Sequence, residues 1–112
     1  MSLGIDVVEV DRFRALLARS PRFAERFFTD EERAHCEGSA VRLAGTFAAK
    51  EAVMKATGLT PAPAWARRIH VGRDADGRPA ARVGGRTIAV SISHDGPVAV
   101  AVALAGTYAP PP

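Results

Sequence analysis

The chain has 112 residues, a length that supports one domain with a small core and not two independent ones. Its 15 basic and 12 acidic residues give a net charge of +3; with no zinc-finger spacing, Gly-Lys-Ser/Thr phosphate loop or paired stacking aromatics, nucleic acid is not an expected partner. Cys36 is the only cysteine, the N-terminal run lacks the basic-then-apolar pattern of a signal peptide, and no stretch is long enough to span a bilayer; together these predict a cytoplasmic chain with no disulfide and no membrane segment.

Leu3 through Val10 reads as a first strand, rich in β-branched Ile5, Val7, Val8 and Val10 and interrupted by Asp6. Asp11 caps a short helix whose apolar stripe is Phe13, Leu16 and Leu17, with Arg12, Arg14 and Arg19 left for solvent. Ser20-Pro21 restarts the chain as a second helix that buries Phe23, Phe27 and Phe28. Thr29-Asp30-Glu31-Glu32 is a capping box opening a helix that runs to about Glu37, and Gly38-Ser39 separates it from the longest candidate, Ala40 to Thr57, closed by Gly58.

Beyond a loop at Thr60-Pro61-Ala62-Pro63 the period changes. Arg67 to Arg73, Ala80 to Val83, Thr87 to Ser93 and Val98 to Leu104 read as strands, with turns at Asp74 to Pro79, Gly84-Gly85 and His94 to Pro97. Pro110-Pro111-Pro112 is expected to fray. The pattern predicts a single α+β domain over 1–112, with helices packed on a small antiparallel sheet. Hydrophobic residues make up 47% of the chain and aromatics only 6%, so alanine and valine must carry most of the packing.

Two carboxylates stand in apolar surroundings. Asp6 interrupts the first strand, and Glu51 lies among Phe47, Ala48, Ala49, Ala52 and Val53. A buried carboxylate needs a cation, a hydrogen-bond donor or a metal. If strand and helix pack together, the pair either forms salt bridges or holds one Mg²⁺ whose remaining sites go to water and phosphate oxygens. The chain has 13 arginines but only two lysines, Lys50 and Lys55, both beside Glu51. Lys55 is four residues on and shares its face, whereas Lys50 points about 100° away and reads equally as a solvated helix residue. In Ser91-Ile92-Ser93-His94-Asp95-Gly96, Ser93 and His94 are placed to meet a phosphate or nucleotide edge, or merely to cap a turn. A hydrolytic triad is not expected from consecutive Ser93, His94 and Asp95 without a Gly-x-Ser-x-Gly elbow.

Three blocks together carry a resemblance: Gly4-Ile5-Asp6-Val7-Val8-Glu9-Val10, then Phe47-Ala48-Ala49-Lys50-Glu51-Ala52 with Lys55-Ala56, then Val90-Ser91-Ile92-Ser93-His94-Asp95. In order and placement the chain resembles the holo-acyl-carrier-protein synthases, the short trimeric class of 4′-phosphopantetheinyl transferases. The resemblance implies transfer of 4′-phosphopantetheine from coenzyme A to a serine of an apo acyl or peptidyl carrier protein, with release of adenosine 3′,5′-bisphosphate. It further implies Asp6 and Glu51 as Mg²⁺ ligands and catalytic residues, Lys50 as a catalytic lysine, and Lys55, Gly58, Ser93 and His94 near coenzyme A. Arg12 and Arg14 match the region that receives an acidic helix of the carrier, and a homotrimer with intersubunit sites is implied. The chain departs from the family pattern twice. Thr46 stands where an arginine is usual, and the interval from Gly77 to Val90 is short where relatives usually carry another helical segment. Both departures motivate an alternative, a catalytically weakened module that binds coenzyme A or carrier without turnover.

Overall fold

The computed structural model describes residues 1–59 and 63–106. Most of the expected loop at Thr60 to Pro63 and the expected fraying at Pro110 to Pro112 lie outside the described residues. Strand β1 (Ser2–Glu9) leads directly into α1 (Val10–Arg19), followed by α2 (Pro21–Phe27), α3 (Asp30–Cys36) and the long α4 (Ala40–Thr57). A short α5 (Pro63–Ala66) precedes β2 (His70–Arg73), β3 (Pro79–Val83), β4 (Arg86–Asp95) and β5 (Val98–Ala105). The strands form one antiparallel sheet in the order β1-β5-β4-β3-β2. The first and last strands of the chain are therefore neighbours, with Asp6 opposite Ala101 and Val8 opposite Ala99.

Helix α4 lies across one face of this sheet on a seam of small side chains. Ala48, Ala49, Ala52 and Ala56 of the helix and Ala99, Ala101 and Ala103 of β5 are all buried. Methyl against methyl lets the backbones approach closely, and Gly4 takes this furthest: a Cβ there would sit 2.0 Å from the Ala52 carbonyl oxygen. The five phenylalanines are not spread through the core but gathered beyond the other side of α4. Phe13, Phe23, Phe27, Phe28 and Phe47 pack with ring centroids 4.8 to 6.4 Å apart and join α1 and α2 to α4. The expected reliance on alanine holds at the sheet, while aromatics build the helical layer.

The Thr29 capping box forms as read, with the Thr29 hydroxyl accepting from the Glu32 amide and the Glu32 carboxylate accepting from the Thr29 amide. Gly58 ends α4 in the left-handed region at φ 75°. Four boundaries differ from expectation. Helix α1 begins at Val10, so Glu9 and not Asp11 stands at its N-cap, without a side-chain cap bond, and Asp11 lies in the first turn. Pro63, read as the last residue of a loop, opens the short α5, and β2 begins at His70, three residues later than the pattern suggests. Strand β4 runs on through His94 and Asp95, which pair with Ala99 and Val98, so only Gly96-Pro97 remains as the turn. The short interval before Val90 is a plain β3–β4 hairpin around Gly84 and Gly85.

Candidate active site

Period-two alternation in β1 sends Gly4, Asp6 and Val8 toward α4, and Leu3, Ile5 and Val7 to the opposite face. Asp6 thus sits at the helix–sheet seam, where the small residues bring α4 close, and Glu51 stands on the flank of α4 above it. Both carboxylates line one cavity of about 390 Å³, walled by Phe13, Leu16 and Phe47 and bordered by Arg12 and Arg19. Burial, and then the neighbouring Asp6 charge, raise the Glu51 carboxyl above the usual carboxylate range, with Lys55 acting in the opposite direction. The Lys55 ammonium donates to Asp6 Oδ1 at 3.1 Å and to the Ile5 carbonyl at 2.9 Å. Gly58, one turn further along, closes the helix at the same end.

This arrangement suits a hard divalent cation with few protein ligands. Two carboxylates on neighbouring elements repel each other and so favour an added positive charge, and among the described residues no cluster of three or more His, Cys, Asp or Glu offers a closed metal cage. Magnesium binds in this way, through one or two carboxylates, keeping its other positions for water and substrate phosphate.

The remaining expected residues lie elsewhere. Ser93 and His94 line a second cavity of about 400 Å³ with His35, Arg42, Thr46 and Arg73. Being consecutive in β4, their side chains leave opposite faces of the sheet: Ser93 pairs across from Val100 and His94 from Ala99. Arg42 and Glu51 are nine residues apart on α4, or about 180° around the helix, which places the two cavities on its opposite flanks. Thr46, at the position where an arginine is usual, is buried, and its hydroxyl donates back to the Arg42 carbonyl.

Lys50 corrects one sequence reading: it is not a solvated helix residue. It is fully buried on a third side of α4, with its ammonium 2.5 Å from Glu32 and hydrogen-bonded to the carbonyls of Phe27 and Ala66. Glu32 was legible only as a capping residue. Nothing in the Thr29–Glu32 spacing reveals that its carboxylate reaches a lysine 18 positions later.

Residues 2–103 match the model of the 4′-phosphopantetheinyl transferase superfamily, and the chain belongs to that superfamily. Within it, the chain falls among the holo-acyl-carrier-protein synthases, which transfer 4′-phosphopantetheine from coenzyme A to acyl carrier protein. The holo-[acyl-carrier-protein] synthase of Frankia casuarinae is 42% identical, with 96% of this chain and 98% of that protein covered. The crystal structure of the Helicobacter pylori enzyme in complex with coenzyme A superposes with a TM-score of 0.82 at 27% identity, covering 91% of this chain and 97% of that one. The Bacillus anthracis enzyme, solved with coenzyme A (3′,5′-ADP), gives 0.78 at 33% identity over 91% and 92%.

Proposed function

We propose that residues 1–112 act as one transferase domain that moves 4′-phosphopantetheine from coenzyme A to a serine hydroxyl of an apo acyl carrier protein. The observation that carries this is the shared cavity of Asp6 and Glu51, with the Lys55 ammonium already seated on Asp6. Asp6 and Glu51 would hold Mg²⁺, which would supply charge neutralisation of the donor's pyrophosphate for in-line attack. Lys55 adds a positive charge at the phosphate end. The serine oxygen bonds to the β-phosphorus, the bond to the α-phosphate oxygen breaks, and adenosine 3′,5′-bisphosphate leaves. The hydroxyl proton passes to Glu51 or to solvent water.

Ser93 and His94 serve the nucleotide end of coenzyme A from a neighbouring copy. Two observations support this reading: the expected residues divide between cavities on opposite flanks of α4, and the outer sheet face is unusually apolar. On that face Leu3, Ile5, Val7 and Leu104 are 66%, 53%, 62% and 43% exposed. Such a patch marks an association surface, and a homotrimer closed through it would bring one copy's β4 toward the next copy's carboxylates. Arg12 and Arg14, both exposed on α1, face the carrier; Arg12 borders the cavity itself, while Arg14 holds Asp11 at 2.6 Å. Their charge guides an acidic helix into place and loses effect as salt rises. A cytoplasmic setting accords with the free, buried thiol of Cys36.

Incubation with Mg²⁺, coenzyme A and a panel of apo carrier proteins should add the phosphopantetheinyl mass to a serine of at least one. Absence of transfer across a diverse, folded panel sinks the proposal. Thr46, whose hydroxyl is committed to the Arg42 carbonyl and which offers the cavity no positive charge, favours the second reading, a weakened module; retained coenzyme A binding without mass transfer would select it.

A further inference from the structure

Lys50 immediately precedes Glu51 yet cannot reach the same chemistry. An ammonium has three N–H groups. Here one faces Glu32 at 2.5 Å, one donates to the Phe27 carbonyl at 2.9 Å and one to the Ala66 carbonyl at 2.7 Å. The phenyl rings of Phe27 and Phe28 lie 5.5 and 5.6 Å from the nitrogen and complete its enclosure. Glu32 is equally committed: Oε1 accepts from the Thr29 amide at 2.8 Å as well as from Lys50, and Oε2 accepts from the Val71 amide at 2.7 Å. The pair therefore ties α4 to the end of α2, the start of α3, α5 and β2 through one buried knot.

That knot has a counterpart in the smoothness of the sheet-facing seam. Alanine methyls allow close approach but form shallow ridges that interlock weakly, so they leave the helix's rotation about its own axis poorly fixed. Lys50 and Glu51 are about 100° apart on that helix, and a rotation that moves one moves the other. We infer that the Lys50–Glu32 pair is a positioning device: it fixes the rotation of α4, and so the placement of Glu51 against Asp6, and supplies no proton or charge to the reacting phosphate. The inference rests on the proposed role of Asp6 and Glu51 as the metal pair.

The test uses Lys50→Met, Glu32→Leu, the double variant and the milder Glu32→Gln, all measured well below their melting temperatures. Affinity for Mn²⁺, followed by electron paramagnetic resonance, and turnover with Mg²⁺ are the readouts. Each single change leaves a buried charge without its partner and should weaken Mn²⁺ binding and kcat by about 10- to 100-fold, the range seen when groups that orient metal ligands are removed. The apolar double variant removes both charges while leaving the Thr29 and Val71 amides and the Phe27 and Ala66 carbonyls without these partners, so both readouts should recover by about tenfold relative to either single variant without reaching the parent. If Glu32→Leu fails to fold, Glu32→Gln carries the single-site comparison. A folded double variant as inactive as Lys50→Met, with Mn²⁺ binding restored, makes the lysine catalytic and overturns the inference. Singles that melt lower but bind Mn²⁺ and turn over unchanged overturn it as well. If the parent itself transfers nothing, the proposed function fails separately, and the Mn²⁺ affinities still decide the role of the pair.

Discussion

Asp6 and Glu51 are each tolerable only because of what surrounds them, and their environments differ. Asp6 has the Lys55 ammonium at 3.1 Å, whereas Glu51 is held above the usual carboxylate range by burial and by Asp6. Replacing either with Ala should lower Mg²⁺-supported kcat by about 100- to 1000-fold, as loss of a key electrostatic group does, while circular dichroism stays that of the parent. Parental turnover in both variants would remove them from the mechanism. A carboxyl with a raised folded-state pKa binds its proton more tightly in the fold than in the unfolded chain, so its contribution to stability falls as pH rises through that window. Without metal, Glu51→Gln should therefore melt higher than the parent at neutral pH, the gain shrinking as weak acid protonates Glu51. A lower neutral melting temperature for Glu51→Gln would contradict this. Both carboxylates were legible in sequence because charged residues in apolar runs require a reason. Lys50 was misplaced because helical spacing gives its direction but not the depth of what lies there.

At the scale of elements, most helix starts and stops were read well, since capping chemistry is local: Thr29 with Glu32, Pro21 at the start of α2 and Gly58 after α4 all act within a turn, whereas Asp11 lies inside the first turn of α1 and does not cap it. The misjudged boundaries depend on partners distant in sequence. His94 and Asp95 resemble turn residues in isolation, yet β5 offers them Ala99 and Val98 to pair with, and the strand continues. Gly4 belongs to the same class, because its need for the absence of a side chain arises from α4 nearly fifty residues away. Gly4→Ala would place a methyl 2.0 Å from the Ala52 oxygen and 2.8 Å from the Ala56 nitrogen. Backbone cannot yield as a side chain does, so destabilisation should exceed the roughly 1–3 kcal/mol of ordinary overpacking. Thermal denaturation measures it, and an unchanged melting temperature would mean that α4 does not seat against β1 as described.

For the molecule as a whole, the two cavities and the apolar outer face bear on assembly. Ile5→Glu puts a charge in the middle of that face while leaving Asp6 on the other side of the strand. With the copies closed as proposed, light scattering should then report a smaller species than the parent, and transfer should fall by at least about tenfold as the proposed in-trans supply of Ser93 and His94 is lost. An Ile5→Glu protein that remains fully associated would show that the copies meet elsewhere. The antiparallel α+β architecture was legible from periodicity and turn residues. The sheet order was not, because pairing of β1 with β5 is a contact across nearly the whole chain.

In the proposed trimer, strand β1 would serve two purposes on alternate residues, one set turned to the cation and the other to a sister subunit. Specific activity should consequently depend on the enzyme's own concentration, collapsing on dilution below the subunit dissociation constant and returning on reconcentration. Expression level would then act as a threshold on carrier loading, since a cell making too little of the chain would lose output faster than it loses protein.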